Sequence, residues 1–360
     1  MTTRRRFLAA LAATGATAGA MPGLGWAAAG NPAYLAAAQD PGGSYVLLGL
    51  GRDGAETFRL ALPARGHAGA GHPSRAEAVA FARRPGHYAL VLDCATGALR
   101  HRLSPPEGRQ FNGHGTFTRD GTRLFTSEQD SASSAGIIGI WDVAAGYRHM
   151  AEVASGGIGP HDLRLMPDGE TLVIANGGIA TDPTDRTKLN LTTMRPNLSY
   201  LTLSGDLTEQ VELDADLRQN SIRHLAIRAD GLVAFALQWE GEADAAPPLL
   251  GLHRRGAAPL LAAAPLADEL AMQGYAGSVA FCGTGAEVAI TSPRGGRVPR
   301  FDASGTFLGA TSRADVCGLA PHGAGYLASD GLGGLITLGP DGSRALGSHA
   351  LAFDNHIVTL

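Results

Sequence analysis

Apolar residues along this chain come in short alternating runs, each closed by a polar turn, and few runs are long enough for a helix. The stretch "GIGPHDLRLMPDG" (157–169) shows the unit: an alternation, then Pro-Asp-Gly to turn the chain. "NGHGTFTRDG" and "SIRHLAIRADG" repeat it. A second apolar run follows each turn ("RLFTSEQD", "TLVIANGG", "LVAFALQWEG"), then a third ("GIIGIWDVAAG") and a more variable fourth. Four short strands per unit of roughly forty to fifty residues predict propeller blades. A β-sandwich is the competing all-β architecture, but it does not require units this regular.

Complete units begin near His67, His114, His161, His224, Gly277 and Cys317. Three strands precede them ("AYLAAAQ", "YVLLGL", "TFRLALP") and one follows ("FDNHIVTL"). Joined, these make a seventh blade with the C-terminal strand innermost, which removes the exposed sheet edge of an open ring. The expected fold is all-β: one seven-bladed β-propeller domain over residues 30–360.

This registration also aligns histidines. His67, His114 and His161 are 47 residues apart, twice, and His224 follows after 63, the excess being an insertion at 179–196 in the fourth blade. His356 takes the same place in the closing strand. Five successive blades therefore carry histidine at one register. Inner strands surround the central channel, so the imidazoles are expected at one mouth of it. Arg84, Glu128, Asn176, Arg223, Arg294 and Asp330 are expected around them, with the insertion above. A single inner-strand histidine commonly satisfies backbone groups between blades. Five go beyond that, because a polar ring facing a channel costs stability unless water or a ligand satisfies it. Neutral imidazole suits iron, copper, zinc or nickel, so His67, His114, His161, His224 and His356 are candidate metal ligands. No His-Glu-x-x-His or Gly-x-Ser-x-Gly motif occurs, so the ligands would come from separate blades and no catalytic residue is nominated. His72, His87, His101, His149, His253, His322 and His349 fall in turns or outer strands and are assigned structural or solvent-facing places.

Composition agrees with a repeat fold: fifty glycines and twenty prolines punctuate the chain evenly. The three cysteines, Cys94, Cys282 and Cys317, cannot all pair and sit in apolar text, so buried free thiols are expected. The N-terminus is a separate element. "TRRRFLAAL" sets Arg4-Arg5 before an apolar, Ala/Gly/Thr-rich stretch with no acidic residue before Asp40, the pattern of a twin-arginine export signal. Residues 1–29 are read as that signal, with cleavage after Ala29 and the "AGA" ending at Ala20 as its rival. The apolar run is short and broken by glycines, which disfavours a retained membrane anchor. A periplasmic destination follows. The formal charge is −4, and with Arg4, Arg5 and Arg6 removed it is −7, with no basic run, which argues against nucleic-acid binding.

Several longer stretches carry a resemblance. "PARGHAGAGHP", "FARRPG", "GGIGPHDLRLMPDGETLVIANGGI", "KLNLTTMRPNLSYL", "SIRHLAIRADG" and "TSPRGGRV" resemble, over essentially the whole mature chain, an exported bacterial propeller family of unknown function. The resemblance implies a context: such proteins are encoded beside imelysin-type and dihaem-type periplasmic proteins associated with iron uptake. It supplies no catalytic residues. Three function classes follow. One is a periplasmic metal-binding protein, most simply for iron, as an accessory to uptake and with those proteins as partners. The second is a metal-dependent, lactonase-like hydrolase using the same mouth. The third is a non-catalytic scaffold.

Overall fold

The computed structural model describes residues 24–84, 86–185, 187–340 and 342–360. Arg4, Arg5 and Ala20 lie outside the described residues. Seven four-stranded antiparallel sheets follow one another around a ring. The first blade is built as expected from both ends of the chain. Its innermost strand is Ala352–Thr359, paired with Tyr34–Gln39 in a register that sets Tyr34 opposite Thr359 and Gln39 opposite Ala352. The other six inner strands are Gly66–Gly71, Arg109–Phe117, Pro160–Leu165, Asn220–Ile227, Ser278–Phe281 and Val316–His322.

Local chemistry explains why the chain turns where it does. After three successive inner strands an Asp-Gly pair closes the hairpin, with Gly121, Gly169 and Gly231 at φ of +71°, +77° and +84°, a conformation that favours glycine. Asp168 holds its turn by accepting bonds from the Glu170 and Thr171 amides, each at 2.9 Å. The middle strands are apolar on both faces because each is packed between blades. Tyr200, Phe235 and Phe301, from three successive blades, are at most 1% exposed. The three cysteines are buried and free, and burial pushes the Cys94 and Cys317 thiols up to about 12, which makes them inert at neutral pH.

Residues ahead of the first strand belong to the folded body. A short 3-10 turn spans Trp26–Ala29; the Trp26 indole donates to the His72 carbonyl at 3.0 Å, and Ala29 is buried. Among the described residues no helix is long and apolar enough to cross a membrane.

Candidate metal centre

Each of the five histidine-bearing inner strands departs from regular pairing at or beside its histidine. The register shifts between Gly66 and Gly69, between Phe111 and Gly115, between Pro160 and Asp162, and between Ile222 and His224. In the closing strand the shift encloses Asp354 to His356. A bulge bends a strand and re-aims its side chains, and here it turns the imidazoles into the channel. The inner strand of blade six, Ser278–Phe281, is paired regularly, whereas that of blade seven also shifts, between Val316 and Leu319, without supplying a channel histidine. Gly113 is required for this arrangement. Its φ is +99°, and a Cβ there would lie 2.6 Å from Cδ2 of His67.

The five rings meet inside the channel. Taken in order, the neighbouring centroids His67–His114, His114–His161, His161–His224, His224–His356 and His356–His67 are 4.9, 4.9, 4.7, 4.6 and 4.6 Å apart. The rings are 2% to 9% exposed. The expectation had placed them at the mouth. They lie deeper, because the strands of blades one, three and five begin several residues before their histidines. Two overlapping groups, His67–His114–His356 and His114–His161–His224, each hold their ligand nitrogens within 4.8 Å of one another. Tetrahedral coordination at 2.0–2.1 Å needs about 3.4 Å between nitrogens, so rotamer adjustments of under about 1 Å per ring close either group on an ion.

The groups behind the rings distinguish these two sets. Asp162 Oδ1 lies 3.2 Å from Nδ1 of His114, and the carboxylate also accepts the Leu225 amide at 3.0 Å. That pair keeps the proton on Nδ1 and leaves Nε2 of His114, which is buried without a partner, for a metal. Asp354 stands 3.7 Å from Nδ1 of His67 and is anchored by Arg65 at 2.6 Å. Cations hold both aspartates low, as do the imidazoles beside them, despite burial. The second set faces cations instead: Arg84 approaches Nδ1 of His161 at 3.4 Å, and Arg223 acts on both His161 and His224. Asp162 serves both groups through His114, so what favours His67, His114 and His356 is Asp354 behind His67, although Arg83 also acts on that ring.

Burial keeps His67, His161, His224 and His356 neutral. Burial pushes His67 down to about 4 and holds His161, His224 and His356 well below the ordinary value, with charge on neighbouring rings acting the same way. Ring nitrogens of His161, His224 and His356 are also buried without a partner. Three histidines elsewhere differ. His72 bonds Gly121 and the Ser74 and Arg75 amides, His253 bonds Tyr200 and Ala257, and His349 bonds Gly54. Those rings are fasteners, whereas the channel rings leave donor atoms unspent.

The polar residues expected at the mouth divide. Arg84 and Arg223 line a cavity of about 70 Å³ against His67, His161 and His224, and Arg294 lines the larger space of about 490 Å³ that continues from it. Glu128, Asn176 and Asp330 stand elsewhere, as corrections to the expectation. Glu128 lies over Gly139 within blade three, bonded to Thr126 and pushed up to about 7 by burial. Asn176 joins Ser155, Asn197 and Ser199 in a buried network between blades. Asp330 staples its own loop, accepting from Leu332, Gly334 and Arg313. Sequence position put all three near the right loops, but strand pairing turned their side chains away from the channel. The insertion does reach the larger cavity, where Lys188 pairs with Glu240. Asp162 and Asp354 were not anticipated. Their adjacency to histidine in "PHDL" and "FDNH" was the available signal, and the bulges that bring them behind neighbouring rings are not visible in a strand pattern.

Comparison with known proteins bears on this geometry in two ways. The model of a family described as a protein of unknown function, DUF1513, matches residues 60–360, which include all five channel histidines. No curated protein matches the chain. Among solved structures, Kuenenia stuttgartiensis hydrazine synthase is similar, with a TM-score of 0.59 at 14% identity over 87% of this chain and 95% of that one. At that identity the likeness extends to the propeller fold alone.

Proposed function

We propose that this chain, which belongs to the DUF1513 family of proteins of unknown function, binds a transition-metal ion in the propeller channel, on His67, His114 and His356 with His161 and His224 beside them. The observation that carries this reading is a buried cluster of five imidazoles with unpartnered ring nitrogens, backed by two carboxylates. An all-nitrogen site with carboxylates behind it suits iron, copper, zinc or nickel. Iron is the choice that fits the genomic setting implied by the family resemblance. On that reading the protein is exported through the twin-arginine route and serves iron uptake in the periplasm beside imelysin-type or dihaem-type partners. A metal-binding role is favoured over a hydrolase. Among the described residues lining the two cavities Glu240 is the one carboxylate, and its pairing with Lys188 takes it away from general-base work.

Elemental analysis of protein purified from the periplasm tests the reading. Near-stoichiometric transition metal is expected in the parent and in His253→Ala, and its loss in His114→Ala, the residue common to both groups. Equal metal in His114→Ala and the parent would overturn it.

A further inference from the structure

We infer that His114, His161 and His224 form a second, weaker position for the metal ion, through which it passes to and from His67, His114 and His356 with Nε2 of His114 bound throughout. The inference rests on the proposed metal site and adds a path to it. His114 is the hub of the cluster. Its ring centroid lies 4.9 Å from those of His67, His161 and His356 and 5.8 Å from that of His224.

The two positions exclude each other. Asp162 engages Nδ1 of His114, so Nε2 is the one donor atom left for both groups. A ring nitrogen offers a single lone pair and serves a single ion. Five imidazoles therefore hold one ion at a time. It moves by exchanging His161 and His224 for His67 and His356 while its bond to His114 persists. Two metal–nitrogen bonds break as two form, and the oxidation state does not change.

The positions are unequal in strength. Behind His67 stands Asp354, a carboxylate that can take the Nδ1 proton and leave Nε2 to the ion. At His161 the neighbour is of the opposite kind. A guanidinium can only donate, so Arg84, 3.4 Å from Nδ1 of His161, makes that nitrogen an acceptor and puts the ring's proton on Nε2. An ion on either nitrogen of His161 must displace that proton or that contact, a cost His67 does not carry. The positions are also unequal in access. His161 and His224 both line the small cavity that continues into the larger space, whereas of His67 and His356 only His67 does so. Releasing ligands in steps splits one high barrier into lower ones, which speeds loading and release and leaves the final affinity alone.

Cobalt(II) titration and stopped-flow loading of the metal-free protein, read by visible absorption, test the path. The parent should bind one equivalent and yield it to EDTA. His161→Ala/His224→Ala should bind one equivalent with an affinity within about threefold of the parent's, yet load and release at least about tenfold more slowly, both by the same factor. His161→Leu/His224→Leu, in which apolar bulk replaces the rings, should be slow as well. His67→Ala/His356→Ala should keep one equivalent, bound at least about tenfold more weakly and exchanged fast. Two equivalents in the parent would overturn the sharing of His114. Loading of the Ala pair as fast as the parent, even with the Leu pair slowed by its bulk, would overturn the path. Folded His67→Ala/His356→Ala that binds no cobalt would overturn the second position. A greater loss of affinity in His161→Ala/His224→Ala than in His67→Ala/His356→Ala would overturn the order of the two. A parent that takes up no cobalt would overturn the metal centre itself, and the second position with it.

Discussion

At the scale of single residues, the channel histidines are held in the protonation state a metal needs. Asp162 fixes the donor nitrogen of His114, and burial keeps the other rings uncharged. This has a consequence for stability. The folded values of His67, His161, His224 and His356 lie below 6.5, so as pH falls the unfolded chain takes up protons first. The contribution of these rings is complete above pH 6.5 and is lost as pH drops toward the folded value, about 4 for His67. Each such ring should remove about 1.4 kcal/mol per pH unit within that window. Guanidinium melts of the metal-free protein at pH 7, 6 and 5 should show a steep decline, made shallower by His161→Leu/His224→Leu. Stability that does not change from pH 7 to 5 would mean the rings are not buried neutral.

At the scale of elements, the strand bulges turn a propeller channel into a ligand set. Alternation, turn residues and the 47-residue spacing make the blades and the histidine register legible in the sequence, down to the closing role of "FDNHIVTL". The bulges are not legible, because an extra residue in one strand is defined only by its partner. For that reason the depth of the rings, the aspartates behind them and the turning of Glu128 and Asn176 away from the channel all required the fold. Gly113 tests the bulge directly. Gly113→Ala forces a side chain onto φ of +99° and against His67, so it should cost about 1–3 kcal/mol and weaken metal binding at least tenfold while the blades still form. Metal affinity equal to the parent's in a titration of that variant would mean the bulge does not position His67. The turn at Trp26–Ala29 makes a second expectation. Cleavage after Ala29 would discard the Trp26–His72 bond and a buried alanine, so, on the proposed export, N-terminal sequencing of the mature protein should find a start after Ala20. A start at Gly30 would mean the packed turn is dispensable.

At the scale of the whole molecule, one strand serves both architecture and site. Ala352–Thr359 closes the ring against Tyr34–Gln39 and also delivers His356 and Asp354 to the centre. Deleting residues 355–360 should therefore open an edge and remove a ligand at once, lowering the melting temperature sharply and favouring aggregation. A truncated protein that melts like the parent would contradict that closure. The channel is also polarised. Cationic side chains line the side above the rings, whereas the cavity beyond them is lined largely by apolar residues such as Leu165, Ile227, Phe281 and Leu319. The most direct test of the central claim is an anomalous-difference map from a crystal of the metal-loaded protein. The account predicts a single strong peak in the channel, within about 2.0–2.2 Å of nitrogens of His67, His114 and His356. A channel without a peak, or a peak only at surface histidines such as His87, would contradict it.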